Sequence, residues 1–492
     1  MTQGLQPILV KVLQEGYQLS PEAFDLLQSM TIDQATKIIQ KAIEKASSDK
    51  GLYVFDQTFL EGLEKTKELR SYDKTLPRSL AKRVEPRIEL DTMEDPLPAG
   101  NVDGFIDYFN SRFVQIERIL KRRVDVRDAI PLSQAVKLPL KNKFKTIGLV
   151  SSKNSRRNRL FIDIEDSEVS ASFMVSGEES FRKGLEILED QVICLEGFRY
   201  KDDLMIANEL IWPDIPMHEV NRADERICAA FLGDVHIGSK YFRDDLFHKF
   251  IDYMNLKIGS PILRNYASRV KYIVIVGDLV DGIGIYPEQL DELTLTTQIS
   301  QYEEAARLLS LLPDYVEILV IPGNHDAVRR SLPQPHIPEK YAPSLYKNTK
   351  IHLLPNPCSL QLHGVKILLA HGKALDDILS STPGYDFHNP VKGVELLLRC
   401  RLIAPIYGQS TPIAPEKTDR LVIKEVPDIF VMGHIHIHET RKYKGVTLIS
   451  SGSFQDQTPF QKRMKIEPTP GWISIFDLSN HQHIPINLER LE

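Results

Sequence analysis

The chain has 492 residues, of which 42% are hydrophobic and 26% charged, and its formal net charge is −6. A chain of this length is too long to fold around one hydrophobic core. Domains usually contain roughly 100 to 200 residues, which predicts three or four domains. The composition is that of an ordinary globular protein, and the acidic charge excludes a surface coated in basic residues. Any nucleic-acid binding must therefore come from local patches, metal ions or a partner.

The termini and cysteines exclude several other classes. No apolar run approaches the ~20 residues that a membrane span needs, and residues 1–7 lack the basic and long apolar regions of a secretory signal. These features predict a cytoplasmic protein. The cysteines form no C-x-x-C pair, so they indicate neither a zinc ribbon nor a disulfide framework. We expect core thiols at Cys194, Cys228, Cys358 and Cys400.

Residues 1–70 show apolar residues at helical spacing and predict a small α-helical N-terminal domain. The first predicted helix ends before Gly16, Ser20 caps a second, and Thr31 opens a third with a capping box. Nothing in this segment indicates chemistry; docking of a partner and a purely structural cap are both open. Residues 71–100 are rich in charge and proline and predict a linker.

Residues 101–142 predict a connecting helix and lead-in, and residues 143–215 carry five strand-like runs with one helix-like segment after the third. Five strands in this order are typical of an OB-fold β-barrel. The loop between the first two strands is basic, and such loops often bind single-stranded nucleic acid. A solvated hairpin tip is the alternative, and OB barrels also serve as protein-binding modules. The candidate nucleic-acid-binding residues are Lys153, Arg156, Arg157 and Arg159.

Residues 224–492 alternate between short apolar runs and helical stretches, a pattern that predicts an α/β layered domain. Five of the predicted strands end in a short polar sequence. Because loops at the carboxyl ends of strands in an open α/β sheet converge on one crevice, five such sequences can share one site. They lie at residues 233–236, 277–282, 323–326, 370–372 and 433–436.

Together, these five sequences resemble the signature of the calcineurin-like metallophosphoesterases, whose domain is a layered β-sandwich flanked by helices. In that chemistry two divalent ions neutralise a phosphodiester, and a bridging carboxylate holds their spacing while imidazoles and an amide add no negative charge. The resemblance implies that a first ion is held by Asp234, His236, Asp278 and His436. It implies that a second ion is held by Asp278, Asn324, His371 and His434.

The same resemblance gives roles to neighbouring residues. His325 would protonate the leaving oxygen without binding metal, and Asp326 would orient it. Asp281 is expected to shape the second loop rather than to bind metal. His438 continues the histidine alternation beyond the family pattern, so we expect no ligand there. Manganese is the first expectation for the ions, with Mg²⁺, Fe²⁺ and Zn²⁺ as alternatives.

The order of helical domain, linker, barrel and phosphoesterase domain resembles the small subunits of archaeal family D DNA polymerases. Segments outside the metal motifs carry the resemblance too, at residues 107–113, 282–287, 412–415 and 457–461. The B subunits of eukaryotic replicative polymerases share the architecture but have lost metal ligands and act as scaffolds. Every ligand position is filled in this chain, so the active branch is the better match.

The resemblance therefore implies a 3′-to-5′ exonuclease that acts on single-stranded DNA and frayed primer ends. It would proofread for a large polymerising subunit in a heterodimer or larger assembly, and the N-terminal domain would contact a sliding clamp, the large subunit or nothing. Two alternatives remain: a catalytically silent scaffold subunit and a free-standing metal-dependent phosphodiesterase or phosphatase. Tyr385 and Phe387, in the long segment before the last motif, are expected either to stack on a base or to pack in the core.

Overall fold

A computed structural model describes residues 6–30, 32–47, 54–56, 59–60, 79–90, 101–156, 159–201 and 204–492. Within these ranges, no helix combines the length and apolar character that crossing a membrane requires. The described residues form a small helical N-terminal core, a five-stranded barrel and two six-stranded sheets. The architecture is thus multidomain α/β, as the succession of strands and helices in the sequence predicts.

Three helices form the N-terminal core: α1 (Gln6–Gln14), α2 (Pro21–Ser29) and α3 (Ile32–Ser47). Ser20 caps α2 by accepting a hydrogen bond from the backbone N–H of Ala23 at 3.1 Å, as predicted. Thr31, the predicted cap of α3, lies outside the described residues. The sequence does not predict the short parallel strands β1 (Gln18–Leu19) and β2 (Val54–Phe55), because two residues leave no alternation to detect.

The barrel follows two helices, α4 (Val102–Lys121) and α5 (Leu132–Ala135). Its strands are β4 (Lys143–Arg156), β5 (Arg159–Glu165), β6 (Ser170–Val175), β7 (Val192–Lys201) and β8 (Leu204–Ile211), with α6 (Glu178–Leu185) between β6 and β7. They close in the order β4-β5-β6-β8-β7. Alternate residues of β5 point into the barrel, because a strand turns successive side chains to opposite faces. Five strands with a helix after the third is the order that the sequence predicts.

Two six-stranded sheets pack face to face in the remainder of the chain. The first contains β9 (Cys228–Leu232), β10 (Val270–Val276), β11 (Glu317–Ile321), β12 (Ile351–Leu353), β18 (Trp472–Asp477) and β19 (Gln482–Asn487), in the order β12-β11-β10-β9-β18-β19. The second contains β3 (Ile88–Leu90), β13 (Cys358–Leu362), β14 (Val365–Ala370), β15 (Ile429–Met432), β16 (Glu439–Tyr443) and β17 (Val446–Ser450), in the order β16-β17-β15-β14-β13-β3. One core cluster contains side chains from both sheets, so it fills the space between them.

Helices cover the outer faces of the two sheets. The first sheet packs against α7 (Asp244–Met254), α8 (Pro261–Arg269), α9 (Gln298–Leu309) and α10 (Pro343–Tyr346). The second shares a core with α11 (Leu375–Ser381), α12 (Pro390–Cys400) and the barrel. The last helix is α13 (Pro459–Met464). Every residue of β10 is buried because the strand is covered on both faces, which explains its continuous apolar sequence.

The linker predicted at residues 71–100 does not hold for residues 79–90. Within them, β3 pairs antiparallel with β13, with Leu90 opposite Leu360, and the backbone N–H of Arg87 donates to the Tyr272 hydroxyl at 2.7 Å. A three-residue edge strand among charged residues and prolines carries no detectable alternation. The strands β12, β13, β16, β18 and β19 are further additions to the predicted set, and most lie at or next to a sheet edge.

The Arg112 side chain connects α4 to the segment that precedes β15, and it is fully buried. Its Nε donates to Asp419 Oδ2 at 2.7 Å, Nη1 donates to the Pro405 carbonyl at 2.6 Å, and Nη2 donates to the Tyr108 hydroxyl at 2.8 Å. Nη1 also donates to the Asp190 carbonyl before β7 at 2.9 Å. One guanidinium therefore joins α4, the barrel and the long segment after α12.

Replacing Arg112 by Ala should lower the free energy of unfolding by about 3 to 5 kcal/mol, because Asp419 would stay buried without its partner. Urea denaturation measures this change. The matched control is Arg118→Ala, an exposed arginine on the same helix, which should change stability by less than about 0.5 kcal/mol. An Arg112→Met/Asp419→Leu double variant should recover most of the loss. Equal effects of the two arginine replacements would contradict the linking role of Arg112.

Candidate metal centre

The predicted site residues follow the carboxyl ends of five strands. Parallel β9, β10 and β11 of the first sheet and parallel β14 and β15 of the second sheet end at a common edge. The loops after these strands supply, in chain order, Asp234, His236, Asp278, Asn324, His325, Asp326, His371, His434 and His436. The structure brings these residues together, although more than 200 positions separate the first from the last.

The donor atoms form three overlapping groups, and within each group all donor atoms lie within 4.8 Å of one another. The groups are Asp234, His236 and His436; His236, Asp278 and His325; and Asp278, His371 and His434. Within the first group, His236 Nε2 lies 3.1 Å from His436 Nε2, and His436 Nε2 lies 3.5 Å from Asp234 Oδ1. The Asn324 amide oxygen lies 3.0 Å from His371 Nε2. Mixed imidazole, carboxylate and amide donors suit Mn²⁺, Fe²⁺ or Zn²⁺, so the donor set fits divalent ions.

Asp278 lies between the two outer groups. Its Oδ2 is 3.3 Å from His371 Nε2 and 3.7 Å from His236 Nε2, and its Oδ1 accepts a hydrogen bond from the backbone N–H of His325 at 2.8 Å. Burial opposes ionisation of this carboxyl, yet the nearby His371 and His325 hold its pKa well below the usual range. Asp278 is therefore a carboxylate with one oxygen facing both groups, which is the position of a bridging ligand.

The pKa of His371 is shifted in the opposite direction to that of Asp278. Burial alone would lower the pKa of this imidazole, but the Asp278 carboxylate beside it raises the pKa to about 9. Burial raises the pKa of Asp234, which is fully enclosed. Perturbed carboxyl and imidazole groups concentrated in one place are typical of a functional site.

The backbone at five of the seven predicted ligands adopts the left-handed region that side chains with a Cβ seldom occupy. The φ angles are 52° at Asp234, 56° at His236, 50° at Asp278, 74° at His434 and 64° at His436. Each such residue costs on the order of 1 to 3 kcal/mol and persists only when the surrounding structure holds it. The tightly packed sheets hold these turns, and the turns aim the ligands inward.

Gly323 has a steric role in the same loops. A Cβ added at this position would lie 2.0 Å from Asp278 Oδ1, well inside van der Waals contact. Only glycine lets the third loop approach the Asp278 carboxylate so closely.

Two histidines are oriented by carboxylates on their far sides. His236 Nδ1 lies 3.0 Å from Asp281 Oδ1, and His434 Nε2 lies 3.0 Å from Asp376 Oδ2. A carboxylate behind a metal-ligating imidazole fixes its orientation and raises its basicity. Asp281 thus shapes the site, in agreement with the prediction. Asp376, at the start of α11, is absent from the predicted set. The sequence feature that could have indicated its role is its closeness to the fourth motif.

The other two histidines are held by uncharged groups. His371 Nδ1 lies 3.1 Å from the Val276 carbonyl oxygen, to which it donates. The Gln461 side-chain amide of α13 lies 3.0 Å from His436 Nδ1. No local sequence pattern connects Gln461 with His436, so this contact could not be predicted.

His325 has one ring nitrogen fixed and the other available. Its Nδ1 lies 2.7 Å from the Asp281 carbonyl oxygen, an acceptor only, so Nδ1 carries the proton and Nε2 remains for exchange. Burial lowers the pKa of His325, and the Asp278 carboxylate opposes that shift. The ring stands edge-on to His236, with centroids 4.7 Å apart.

Asp326 does not contact the His325 ring, contrary to the orienting role predicted for it. Its carboxylate accepts hydrogen bonds from the backbone N–H of Gly323 at 2.9 Å and from the Tyr302 hydroxyl at 3.0 Å. It therefore stabilises the third loop against α9. Adjacency in the chain did not reveal that successive side chains in this turn point in opposite directions.

The barrel loop predicted at residues 151–159 is mostly strand, because β4 extends to Arg156 and β5 begins at Arg159. Residues 157–158, at its tip, lie outside the described residues. Lys153 Nζ donates to the carbonyl oxygens of Leu185 and Ile187, at 2.8 and 2.6 Å, and so closes the carboxyl end of α6. Arg159 is exposed. Arg157 and the side chain of Arg156 lie outside the described residues. Lys153 therefore has a structural partner within the barrel.

Three further candidates lie in packed surroundings. Tyr385 is buried and donates its hydroxyl to Glu186 Oε1 at 3.0 Å, and Phe387 packs against the core, which favours core packing over base stacking for both. His438 lies 2.9 Å from Ser474 Oγ and stacks on Trp472. These contacts hold His438 against β18.

A cleft of about 480 Å³ opens beside Asn324. Its walls include the apolar Ile283 and Ile285, the aromatic Tyr341 and the exposed cations Arg330 and Lys340. The cleft provides space for a substrate next to Asn324, one of the predicted ligands of the second ion.

Comparison with known proteins gives a consistent result. The family of DNA polymerase alpha/epsilon B subunits matches residues 229–441. A DNA polymerase II small subunit from Archaeoglobus fulgidus is 34% identical over 479 residues, which cover 95% of this chain and 94% of that protein. A DNA polymerase II small subunit from Pyrococcus horikoshii is 37% identical over 388 residues, which cover 78% of this chain and 62% of that protein. The chain thus spans less than two thirds of the length of the Pyrococcus relative.

Among solved structures, one described as a novel archaeal phosphodiesterase aligns with 53% of this chain and 99% of its own, at 12% identity and a TM-score of 0.25. An alignment with so low a score does not establish a shared fold.

Replacing Asp281 by Asn should weaken the affinity for one of two Mn²⁺ ions about 10- to 100-fold. The Asp281 carboxylate accepts from His236, Gln289 and Gln455, and an amide nitrogen would face one of these donors. Titration calorimetry with Mn²⁺ measures the two affinities. Asp291→Asn, an exposed position in the following 3₁₀ turn, is the matched control. Unchanged affinity in Asp281→Asn would remove His236 from the ligand set.

Proposed function

Because the chain belongs to the family of archaeal DNA polymerase II small subunits, we propose that it is the nuclease subunit of a DNA polymerase. In this proposal it carries a two-metal 3′-to-5′ exonuclease that degrades single-stranded DNA and proofreads primer ends. A separate large subunit performs the polymerisation, in a heterodimer or larger assembly. The net charge of −6 suits a subunit that leaves most contacts with the duplex to that partner.

One observation carries the nuclease proposal: each predicted ligand position is filled, and Asp278 faces both outer groups of donor atoms. Asp234, His236, Asp278 and His436 would hold one ion, and Asp278, Asn324, His371 and His434 the other. When bound, two divalent ions neutralise the phosphodiester, provide a nucleophile at neutral pH and stabilise the leaving oxygen. A subunit that serves only as a scaffold would not need this complete set.

His325 supplies the proton in this proposal. With Nδ1 fixed by the Asp281 carbonyl, Nε2 delivers a proton to the 3′ oxygen that leaves when the terminal nucleotide is released. Burial lowers the pKa of His325, and the Asp278 carboxylate next to the ring limits that fall. The cleft beside Asn324 would receive the strand, with Arg330 and Lys340 near its phosphates.

Digestion of single-stranded DNA labelled at its 3′ or 5′ end, with Mn²⁺, tests the activity and its direction. Wild type, alone or with the large subunit, should release labelled mononucleotide first from the 3′ end. Asp278→Asn should abolish the activity, because both ion sites lose their shared ligand. His325→Ala should lower the turnover rate about 10²- to 10⁴-fold, the usual contribution of a general acid.

The matched control is His248→Ala, which replaces an exposed histidine on α7 and should digest DNA at the wild-type rate. Absence of nuclease in wild type, with Mn²⁺ bound and the large subunit attached, would leave the scaffold function. Hydrolysis of small phosphoesters with no cutting of DNA and no stable partner would point to a free-standing phosphoesterase. Full activity in His325→Ala would overturn only the role of His325.

The barrel loop is proposed to bind single-stranded DNA through its arginines. Replacing Arg156, Arg157 and Arg159 by Ala should weaken binding and lower the slope of log affinity against log salt by about 2, since each phosphate contact contributes about 0.7. Lys153→Ala should instead destabilise the barrel, because two carbonyl groups lose their donor. Fluorescence anisotropy and thermal unfolding separate the two effects. An unchanged slope in the arginine variant would show that the loop does not contact DNA.

A further inference from the structure

Helix α13 contacts the candidate metal centre through one side chain. Gln461 is buried, and its side-chain amide lies 3.0 Å from His436 Nδ1. Its amide oxygen accepts the backbone N–H of Thr458 at 3.0 Å, which completes a capping box at the start of the helix. The helix is therefore fixed in position directly beside a predicted metal ligand.

The chain that follows is tied to the same loop. The backbone N–H of Thr469 donates to the His436 carbonyl at 2.8 Å, and the backbone N–H of His438 donates to Thr469 Oγ1 at 2.7 Å. Anchored at both ends, α13 forms part of the rim of the metal centre.

Exposed apolar and cationic side chains surround α13. Phe460 is 59% exposed and Met464 is 48% exposed. Being four residues apart, they lie on the same side of the helix. Three exposed cations accompany them, and residues 459–465 contain no carboxylate. We call this surface the rim patch; its members are Phe460, Lys462, Arg463, Met464 and Lys465.

The cations of the rim patch differ in ion pairing from many other cations of this protein. Arg182, Arg243 and Arg307 pair with neighbouring carboxylates. In the part of the chain that the structure describes, no carboxylate lies within salt-bridge distance of the three rim-patch cations. A single exposed apolar side chain needs no explanation, but an exposed phenyl ring among unpaired cations is a combination that binds single-stranded nucleic acid.

We propose that the rim patch is a binding site for single-stranded DNA, in which Phe460 stacks on a base and the three cations contact phosphates beside the metal centre. This inference rests on the proposed nuclease function and names a contact that delivers its substrate. Charge complementarity favours DNA as the occupant: residues 459–465 carry a charge of +3 on a chain of net charge −6, and the next carboxylate in sequence is Glu467. Met464 extends the apolar platform next to the ring.

The test is binding of a fluorescent single-stranded oligonucleotide to the full chain, with and without its large subunit, at several salt concentrations. EDTA prevents cutting during this measurement, so binding is observed even if the chain proves to have no nuclease. Replacing Lys462, Arg463 and Lys465 by Ala should lower the slope of log affinity against log salt by about 2. Phe460→Ala should weaken binding about tenfold, whereas Phe460→Trp should retain it, because tryptophan also stacks.

The charge-matched control replaces three exposed lysines elsewhere in the chain, Lys137, Lys347 and Lys424, by Ala. This control should keep the slope within about 0.5 of wild type, since none of these lysines is placed at the rim. In the Mn²⁺ digestion assay, the rim-patch variants should raise KM for a long oligonucleotide about tenfold. They should raise it far less for a dinucleotide, which is too short to reach from the metal centre along α13.

Wild-type slope and wild-type KM in the triple cation variant would overturn the inference while leaving the nuclease proposal intact. Loss of the large subunit from this variant, with DNA binding by the chain alone unchanged, would also overturn it and identify the rim patch as a protein interface. Conversely, a reduced slope in a chain that cuts no DNA would support the rim patch and reject the nuclease.

Discussion

The Asp278 carboxylate is the position on which the rest of the site depends. One oxygen faces His371 and His236, which belong to different ligand groups, and the other accepts the His325 backbone N–H. Loops from both sheets must therefore close on one buried charge, and a small displacement of this group would separate the two halves of the site. The left-handed backbone at Asp278 and the absence of a side chain at Gly323 are the local conditions that allow this position.

The packed sheets stabilise these strained loops. The strands β9, β10, β11 and β15 are fully buried, so the points from which the loops depart are held rigidly. The barrel is joined to this framework through the Arg112 guanidinium and through a shared apolar core. Its orientation relative to the metal centre is consequently set by packing and one buried ion pair.

The sequence places each candidate ligand in a short segment that follows an apolar strand, which is a local signal, and the structure gathers these side chains in one place. It predicts the α/β layers and the barrel order for the same reason. Contacts between distant segments leave no such signal: Asp376 behind His434, Gln461 behind His436 and the edge strand β3 appear only once the chain is folded. The role predicted for Asp326 does not agree with its contacts, because its carboxylate accepts from Gly323 and Tyr302, and adjacency in the chain did not indicate these partners.

The choice of ligands also resolves an electrostatic conflict. A chain of net charge −6 repels a polyanion, so attraction must be local. The predicted ligand set contains only two carboxylates, Asp234 and Asp278; its other members are neutral imidazoles and one amide. Two bound divalent ions would therefore leave the site with a charge of about +2, in a place where burial limits screening. Had carboxylates replaced the histidines, the ions would be neutralised before a phosphodiester arrived. In the proposed DNA-binding role, the cations of the rim patch would extend this positive region outward from the ions.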